Sequence, residues 1–495
     1  MKLRTAVLAA MLAASSSVLA GVFAPLPTYD DPKPSWTPSG PAADTTDLSR
    51  FQVDQTLKLE ARLGRASVAK GSDGSTFLFA SVTGAEGTSS APPLNLAIVI
   101  DKSGSMKGER IARAIDAGVG VVERMRDGDT ITVVDFDTAS EIVVAPTRLT
   151  SSSRPSVEAA IRGIRLGGDT CISCGIETAA AQLRAAPLFG DHVTRMIVLS
   201  DGATNHGVTD LPGLRSIAGR MRDRGCSITT IGVDVDFDEK VMAALAQESN
   251  GRHYFVASAA GLPAIFSQEF DSLVASVAQD ADLAIDLAPG VEVEQVFDRT
   301  FRRENAAGGD RIVIPFGVFS AKQQKTALVK LRVPTDHDGT TPVARMSLTY
   351  RDLVARSDRH EDGSVALLVK TDGSEQREID PFVGDRVERS RTAETLTKAN
   401  ELFESGHLAE AQATLATRET DLHRSPVRLA ANGLGGGGAA LDKDLDQQLG
   451  AVAEAEKNMA PMATTVAGAA PAPAHAHAAA VQVRKNAQAA TDLAF

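Results

Sequence analysis

The stretch Leu94-Asn95-Leu96-Ala97-Ile98-Val99-Ile100 runs without a break into Asp101-Lys102-Ser103-Gly104-Ser105. A near-continuous apolar run of this length, ended by a polar turn, reads as a strand buried on both faces, as in parallel sheets. Ile111, Ile115, Val119 and Val122 follow at helical spacing and mark a helix laid against that strand. The alternation persists through residues 94–276. Further strands are expected at 130–136, 142–144, 195–199, 227–233 and 253–256, and helices at 156–164, 176–184, 211–224, 239–249 and 262–276. Such an order calls for an α/β doubly wound, mostly parallel sheet covered by helices on both faces, because parallel crossovers are long and right-handed.

In an open α/β sheet, ligands bind beyond the carboxyl ends of the strands, where the topology reverses. Here those ends are rich in oxygen. The first strand leads into Asp101, Ser103 and Ser105; a loop Gly167-Gly168-Asp169-Thr170 supplies another hydroxyl; the strand at 195–199 ends in Ser200-Asp201-Gly202. Hard oxygen donors without His or Cys suit Mg²⁺, Mn²⁺ or Ca²⁺ rather than zinc or copper. Two carboxylates balance a divalent charge and neutral hydroxyls leave the ion electrophilic, so an open position can take an acidic oxygen from a partner.

With these three segments the chain resembles a von Willebrand factor type A (VWA) domain with a metal-ion-dependent adhesion site, of the bacterial exported type. Its D-x-S-x-S pattern is complete at Asp101, Ser103 and Ser105, its second-loop threonine matches Thr170 and its third-loop aspartate matches Asp201. The resemblance covers residues 94–276 and implies that these five residues hold the ion, directly or through water. It also implies that a bound partner shifts the last helix of the domain and signals onward through Gln279–Asp282. Asp169 stands where the family often has a small or neutral residue, beside Cys171 and Cys174, and is a candidate addition to the shell.

Outside residues 92–278, assigned to the VWA domain, the pattern changes. Period-2 segments after Ala281, with Asp338-Gly339, Asp362-Gly363 and Asp372-Gly373 as turns, read as an antiparallel β-sandwich over 281–378. The strands within 49–90 need partners, and their simplest home is that same sandwich, which makes the α/β domain an insertion. Residues 384–424 read as a short helical hairpin, and 425–495 as a Gly/Ala-rich, mostly disordered tail with a helix near 441–457. Residues 21–48 form a Pro-rich linker. Residues 1–20, with Lys2 and Arg4, an apolar run and Val18-Leu19-Ala20, read as a secretory signal peptide. No other apolar run reaches the length of a membrane span, so the mature chain is expected to lack a transmembrane segment and to be exported, periplasmic or extracellular.

The chain of 495 residues carries 51 Lys and Arg against 63 Asp and Glu, an acidic balance that argues against nucleic acid, whose binding rests on clustered cations. Export places Cys171, Cys174 and Cys226 in an oxidising compartment, and a small Cys171–Cys174 disulfide, or two plain thiols, is favoured over redox chemistry. Asp234, Asp236 and Asp238 alternate like the start of a calcium loop, but Glu239 and Leu245 occupy the turn-glycine and closing-Glu positions, so capping by Asp236 or Asp238 is favoured. Lys102 and Lys107 lack a phosphate-cradling glycine loop and read as solvated surface, and the tail pair His475 and His477 is a weak metal signal. The reading is therefore a non-enzymatic, metal-dependent, adhesion-like protein that takes an Asp or Glu carboxylate of a partner through Mg²⁺ (or Mn²⁺ or Ca²⁺). The alternatives are a Mg²⁺-dependent phosphohydrolase, disfavoured because Ser103 stands where an acid/base Asp would, and an envelope scaffold with a vestigial site.

Overall fold

Four short strands open the fold: β1 (Arg50–Asp54), β2 (Leu57–Leu63), β3 (Ser67–Ala69) and β4 (Ser75–Gly84). In β2 every second side chain is buried, as expected of a strand with one face on a core. The computed structural model describes residues 47–86, 92–186, 192–235, 237–306, 309–371, 379–431, 436–459 and 473–494. The expected signal segment, most of the linker, Asp236 and the Asp372-Gly373 turn lie outside the described residues.

The central α/β unit follows as β5 (Leu94–Asp101), α1 (Glu109–Arg124), β6 (Thr130–Phe136), β7 (Ser140–Arg148), α2 (Arg154–Arg162) and α3 (Ile172–Ala185). It continues with β8 (Val193–Ser200), α4 (Leu211–Arg222), β9 (Cys226–Val233), α5 (Glu239–Glu248), β10 (His253–Val256) and α6 (Leu262–Val274). The sheet order is β10-β9-β8-β5-β6-β7, parallel throughout except for β7, which pairs antiparallel with β6. The short strand expected at 142–144 is thus the middle of a longer edge strand. Its flanks carry polar, exposed residues, so the apolar pattern marks only the centre. Every residue of β5 is buried: Leu96, Ile98 and Ile100 face the core under α1, α2 and α6, while Ala97 and Val99 face the one under α3, α4 and α5. Connections from β5 go to β6 on one side and those from β8 go to β9 on the other, so the topology reverses in the crevice between β5 and β8.

The chain then builds β11 (Ser276–Leu287), β12 (Glu292–Phe297), β13 (Arg302–Ala306), β14 (Gly309–Ser320), β15 (Gln324–Arg332), β16 (Gly339–Asp352) and β17 (Ser357–Lys370). One antiparallel sheet has the order β1-β2-β4-β15-β12 and the other the order β13-β14-β11-β16-β17-β3, with β3 parallel to β17. Since β4 pairs with β15, strands before and after the α/β unit share one sheet, and that unit is inserted between β4 and β11. The Asp362-Gly363 turn is corrected: both residues lie inside β17, opposite Ser347 and Met346, and the hairpin turns at Leu353–Arg356, where Arg356 has φ 55°. Gly363 serves packing instead, because the Phe51 ring occupies the space that a side chain would need.

Five helices complete the described chain: α7 (Pro381–Glu404), α8 (Leu408–His423), α9 (Pro426–Ala431), α10 (Gly436–Met459) and α11 (Pro473–Ala494). This corrects the expectation of a disordered tail. Alanine-rich sequence is poor in large core residues but strong in helix propensity, and Leu441, Leu445, Val452, Met459 and Ala490 are buried against Leu396, Leu415 and Leu422. Arg386 fastens α7 in place, donating to Asp298 at 2.9 Å, Thr326 Oγ1 at 3.0 Å and the Ala494 carbonyl at 2.7 Å. None of the described helices is long and apolar enough to cross a membrane.

One buried acid makes this helical layer pH-sensitive. Burial, and then the neighbouring Asp444 carboxylate on α10, push the Asp385 carboxyl up from 3.8 to about 8. The folded chain therefore holds a proton that the unfolded chain has lost, and stability falls as pH rises from about 4 to about 8. Asp385→Asn is expected to stabilise the protein by roughly 1–3 kcal/mol at pH 8 and hardly at all at pH 4. Thermal unfolding at the two pH values checks this; equal shifts at both would contradict it.

Candidate functional site

Asp101 closes β5 and Asp201 follows β8, so the reversal crevice brings two carboxylates to its mouth. Neither has any solvent exposure. Asp101 accepts hydrogen bonds from the Ser103 backbone N–H at 2.8 Å and the Ser200 hydroxyl at 2.6 Å. Ser103 Oγ lies 3.0 Å from Ser105 Oγ, and the Ser105 hydroxyl donates to Asp201 at 2.7 Å. A continuous oxygen chain thus runs from the first loop to the third. Burial, together with the like charge of Asp201, raises the Asp101 carboxyl to about 6, against the pull of the hydrogen bonds from Ser103 and Ser200.

The second loop is held by both neighbours. Asp137 after β6 accepts the Gly168 N–H at 3.0 Å, and its own carbonyl accepts the Cys171 N–H at 2.7 Å. Thr170 donates its N–H to Asn205 Oδ1 at 2.9 Å, while its carbonyl accepts the Asn205 and His206 N–H groups. These contacts seat the nearly buried Thr170 against Gly202: both Thr170 Oγ1 and Ser105 Oγ lie 3.4 Å from where a Cβ on that glycine would stand. Cys171 and Cys174 form a disulfide at the start of α3, directly after Thr170, and Cys226 is a buried free thiol, pushed up to about 12 by burial. Asp169 is corrected as a shell candidate. It is exposed, and its carboxylate is taken up by His206 Nε2 at 2.9 Å.

The structure thus gathers Asp101, Ser103, Ser105, Thr170 and Asp201. It also shows residues that the sequence reading did not pick out. The Arg110 guanidinium, from the first turn of α1, bonds Asp201 at 2.6 Å and also Asp234 at the end of β9. Asp234 has φ 63° and, rather than opening a calcium loop, serves as the far anchor of this bridge, while Asp238 caps α5 through the Val241 N–H. Lys102 is corrected too: it is 7% exposed and pairs with Asp135 and Glu141, both at 3.1 Å. His477 on α11 stands 3.9 Å from Asp234. The side chain of His475 falls outside the described residues.

The donor set fits a hard divalent ion. Among the described residues no cluster of three or more His, Cys, Asp or Glu is arranged to hold a metal, so hydroxyls must supply part of any shell. Two fully buried, mutually repelling carboxylates with one guanidinium, which pairs with Asp201 and not Asp101, leave a charge deficit that a small cation would relieve.

Together these elements define an open α/β domain with a crevice at a strand reversal, inserted into a β-sandwich. Residues 95–268 match the von Willebrand factor type A domain model, and this part of the chain is a VWA domain. Over 281 residues the chain is 25% identical to the YfbK protein of Escherichia coli K12, a stretch that is 52% of this chain and 48% of the relative. It therefore spans about half the length of that relative. Over 322 residues it is 23% identical to the Synechocystis protein sll0103, covering 62% of this chain and 75% of the other. A solved von Willebrand factor type A protein from Catenulispora acidiphila superposes with a TM-score of 0.68 at 16% identity, over 88% of this chain and 98% of that one. At that identity the likeness is one of fold, and it extends beyond the VWA domain.

Proposed function

We propose that this chain is an exported adhesion-type protein whose VWA domain captures an Asp or Glu of a protein partner through a divalent cation held by Asp101, Ser103, Ser105, Thr170 and Asp201. Domains of this family commonly mediate protein–protein adhesion, and the observation that carries the reading here is the pair of unexposed carboxylates linked through Ser103 and Ser105. A bound Mg²⁺ or Mn²⁺ would supply an electrophilic position for the partner's carboxylate. The chain's own residues do the rest. Asp101 is oriented by Ser200 and Ser103, Asp201 by Ser105 and Arg110, and Ser105 stands exposed at the rim, where an incoming side chain would arrive.

Onward signalling from the last helix of the domain belongs to the same proposal. α6 leads directly into β11, whose register shifts between Ala278 and Asp282 and whose Asp280 has φ 52°, an irregular segment between domain and sandwich. Calorimetric titration with Mn²⁺ tests the proposal. One ion per chain is expected to bind the wild type, with affinity lowered at least about tenfold in Asp101→Ala, the scale of losing one charged ligand. Equal binding by both proteins, or none by the wild type, would refute it.

A further inference from the structure

Helix α11 belongs to the helical layer yet leans on the VWA domain. Its C-terminal carbonyls are clasped by α7: Arg386 donates to Ala494 at 2.7 Å, and Arg389 to Leu493 at 3.2 Å and Asp492 at 3.1 Å. Asn400 of α7 donates to the Val483 carbonyl at 2.9 Å, and Ala490 is part of the apolar core of that layer. Among the described residues, none of α11 enters either apolar core of the VWA domain. What joins the two is polar. Arg484 donates to the carbonyls of Val235 at 3.3 Å and Phe237 at 2.9 Å, and its guanidinium lies 5.0 Å over the Phe237 ring. Gln488 accepts the Phe255 N–H at 3.1 Å, on the outer edge of β10, which among the described strands pairs only with β9. Arg484 Nε and Glu239 Oε2 face each other at 3.8 Å, and neither completes a hydrogen bond among the described residues. A helix anchored at one end and held further along by a few polar contacts, each of modest worth, can lift without unfolding either neighbour.

The contacts of α11 fall on the segment that carries Asp234. Val235 is next to it, and the His477 imidazole stands 3.9 Å from its carboxylate. The Phe237 ring beneath Arg484 fills the space that a side chain on Gly232 would need, two residues before Asp234. Asp234 itself has φ 63°, a left-handed backbone that a residue with a side chain keeps only when its surroundings hold it there. Its carboxylate bonds the Arg110 guanidinium, whose other arm bonds Asp201 at 2.6 Å. This series of contacts ends on a residue of the proposed metal shell, at the one guanidinium that competes with a cation for it.

We propose that α11 is a releasable strap which, while docked, holds Asp234 against Arg110 and Arg110 against Asp201, so that docking and cation binding oppose each other. The proposal rests on the metal-site reading of Asp201. With the strap docked, two carboxylates pin the guanidinium between them. Once it lifts, Asp234 relaxes to an ordinary backbone conformation, and Arg110 keeps one anchor and regains the rotamer freedom of a long side chain. A divalent ion then displaces it from Asp201 more readily. By linkage, an ion bound more tightly in the undocked state loosens the strap by the same factor. Cation binding thereby uncovers the edge of β10 that Gln488 occupies.

Mn²⁺ calorimetry, amide hydrogen exchange and thermal unfolding of the full chain test this. Arg484→Met and Gln488→Ala remove separate docking contacts, and each is expected to raise Mn²⁺ affinity about fivefold, the lower end of ordinary coupling between sites. Neither should add to the gain of Arg110→Met. In the wild type, saturating Mn²⁺ is expected to speed exchange of the α11 amides by about the same factor, with the amides of β16 unchanged as reference. In chelator, the double variant Arg484→Met, Arg110→Met is expected to lose less unfolding temperature than the two single variants together, because the second change acts on a contact that the first has already loosened. Where the wild type binds Mn²⁺, unchanged affinity in folded Arg484→Met and Gln488→Ala, or α11 exchange indifferent to the ion, overturns the strap. Additive losses in chelator overturn it as well. If the wild type binds no Mn²⁺, the metal-site reading fails and the chelator series alone decides: less than additive losses uphold the strap's grip on Arg110, and additive losses remove it.

Discussion

Arg110→Met is expected to lower the unfolding temperature of the metal-free protein while raising its affinity for divalent ions. The two effects share one cause. Asp201 is fully buried, and its Oδ2 is neutralised by the Arg110 guanidinium 2.6 Å away, while Oδ1 accepts only a neutral hydroxyl. Removing one partner of such a pair strands a charge in a desolvated place. Because the guanidinium itself is about a quarter exposed, the expected cost is roughly 2–3 kcal/mol, below the full penalty for a deeply buried pair. Methionine keeps much of the packing of the arginine stem, so the loss reports charge rather than volume. Divalent ions meet less repulsion once the fixed positive charge has gone, and a gain of about tenfold in affinity is expected from about 1.4 kcal/mol of relieved repulsion. Thermal unfolding in chelator and in saturating Mg²⁺, with Mn²⁺ calorimetry, separates the effects: the stability deficit should shrink once metal is added. Equal unfolding temperatures for the two proteins in chelator would show that the guanidinium does not neutralise Asp201.

Arg110 also shows why part of the site was not legible in the sequence. Asp101 ends a fully buried strand with Ser103 and Ser105 in the turn after it, and Asp201 directly follows the neighbouring strand β8, so local pattern and sheet topology suffice to bring them together. The Arg110 bridge depends on β9 ending beside β8, so that Asp234, 124 positions further along, meets an arginine on α1. No period or spacing records that meeting. Lys102 was misread for a similar reason: a lysine in a polar loop is normally solvated, and only the pairing of β5 with β6 places it beside Asp135. The helices of the tail escaped for another reason, since Ala-rich composition carries helix propensity without a strong apolar period, and the partners that fix those helices are on α7 and α8.

Gly175→Val is expected to damage the second loop of the site from a distance. Gly175 lies in the first turn of α3, and a Cβ there would stand 2.7 Å from the Phe136 ring and 2.8 Å from Val99 Cγ1. Both neighbours are fully buried, Val99 in the middle of β5 and Phe136 at the end of β6, so neither can swing aside. The glycine is therefore a close-packing position, and any side chain must lift the start of α3 from the sheet. Overpacking of this kind costs about 1–3 kcal/mol for a methyl group and more for a branched side chain, so Gly175→Ala should be milder than Gly175→Val. The first turn of α3 carries the disulfide, and Thr170 is tied to Asn205 at the adjacent loop, so the displacement falls on the loop that supplies the third hydroxyl. Affinity for Mn²⁺, measured well below the unfolding temperature of each variant, should decline from wild type through Gly175→Ala to Gly175→Val. A valine variant that loses stability but binds Mn²⁺ as tightly as the wild type would show that helix seating and the second loop are uncoupled.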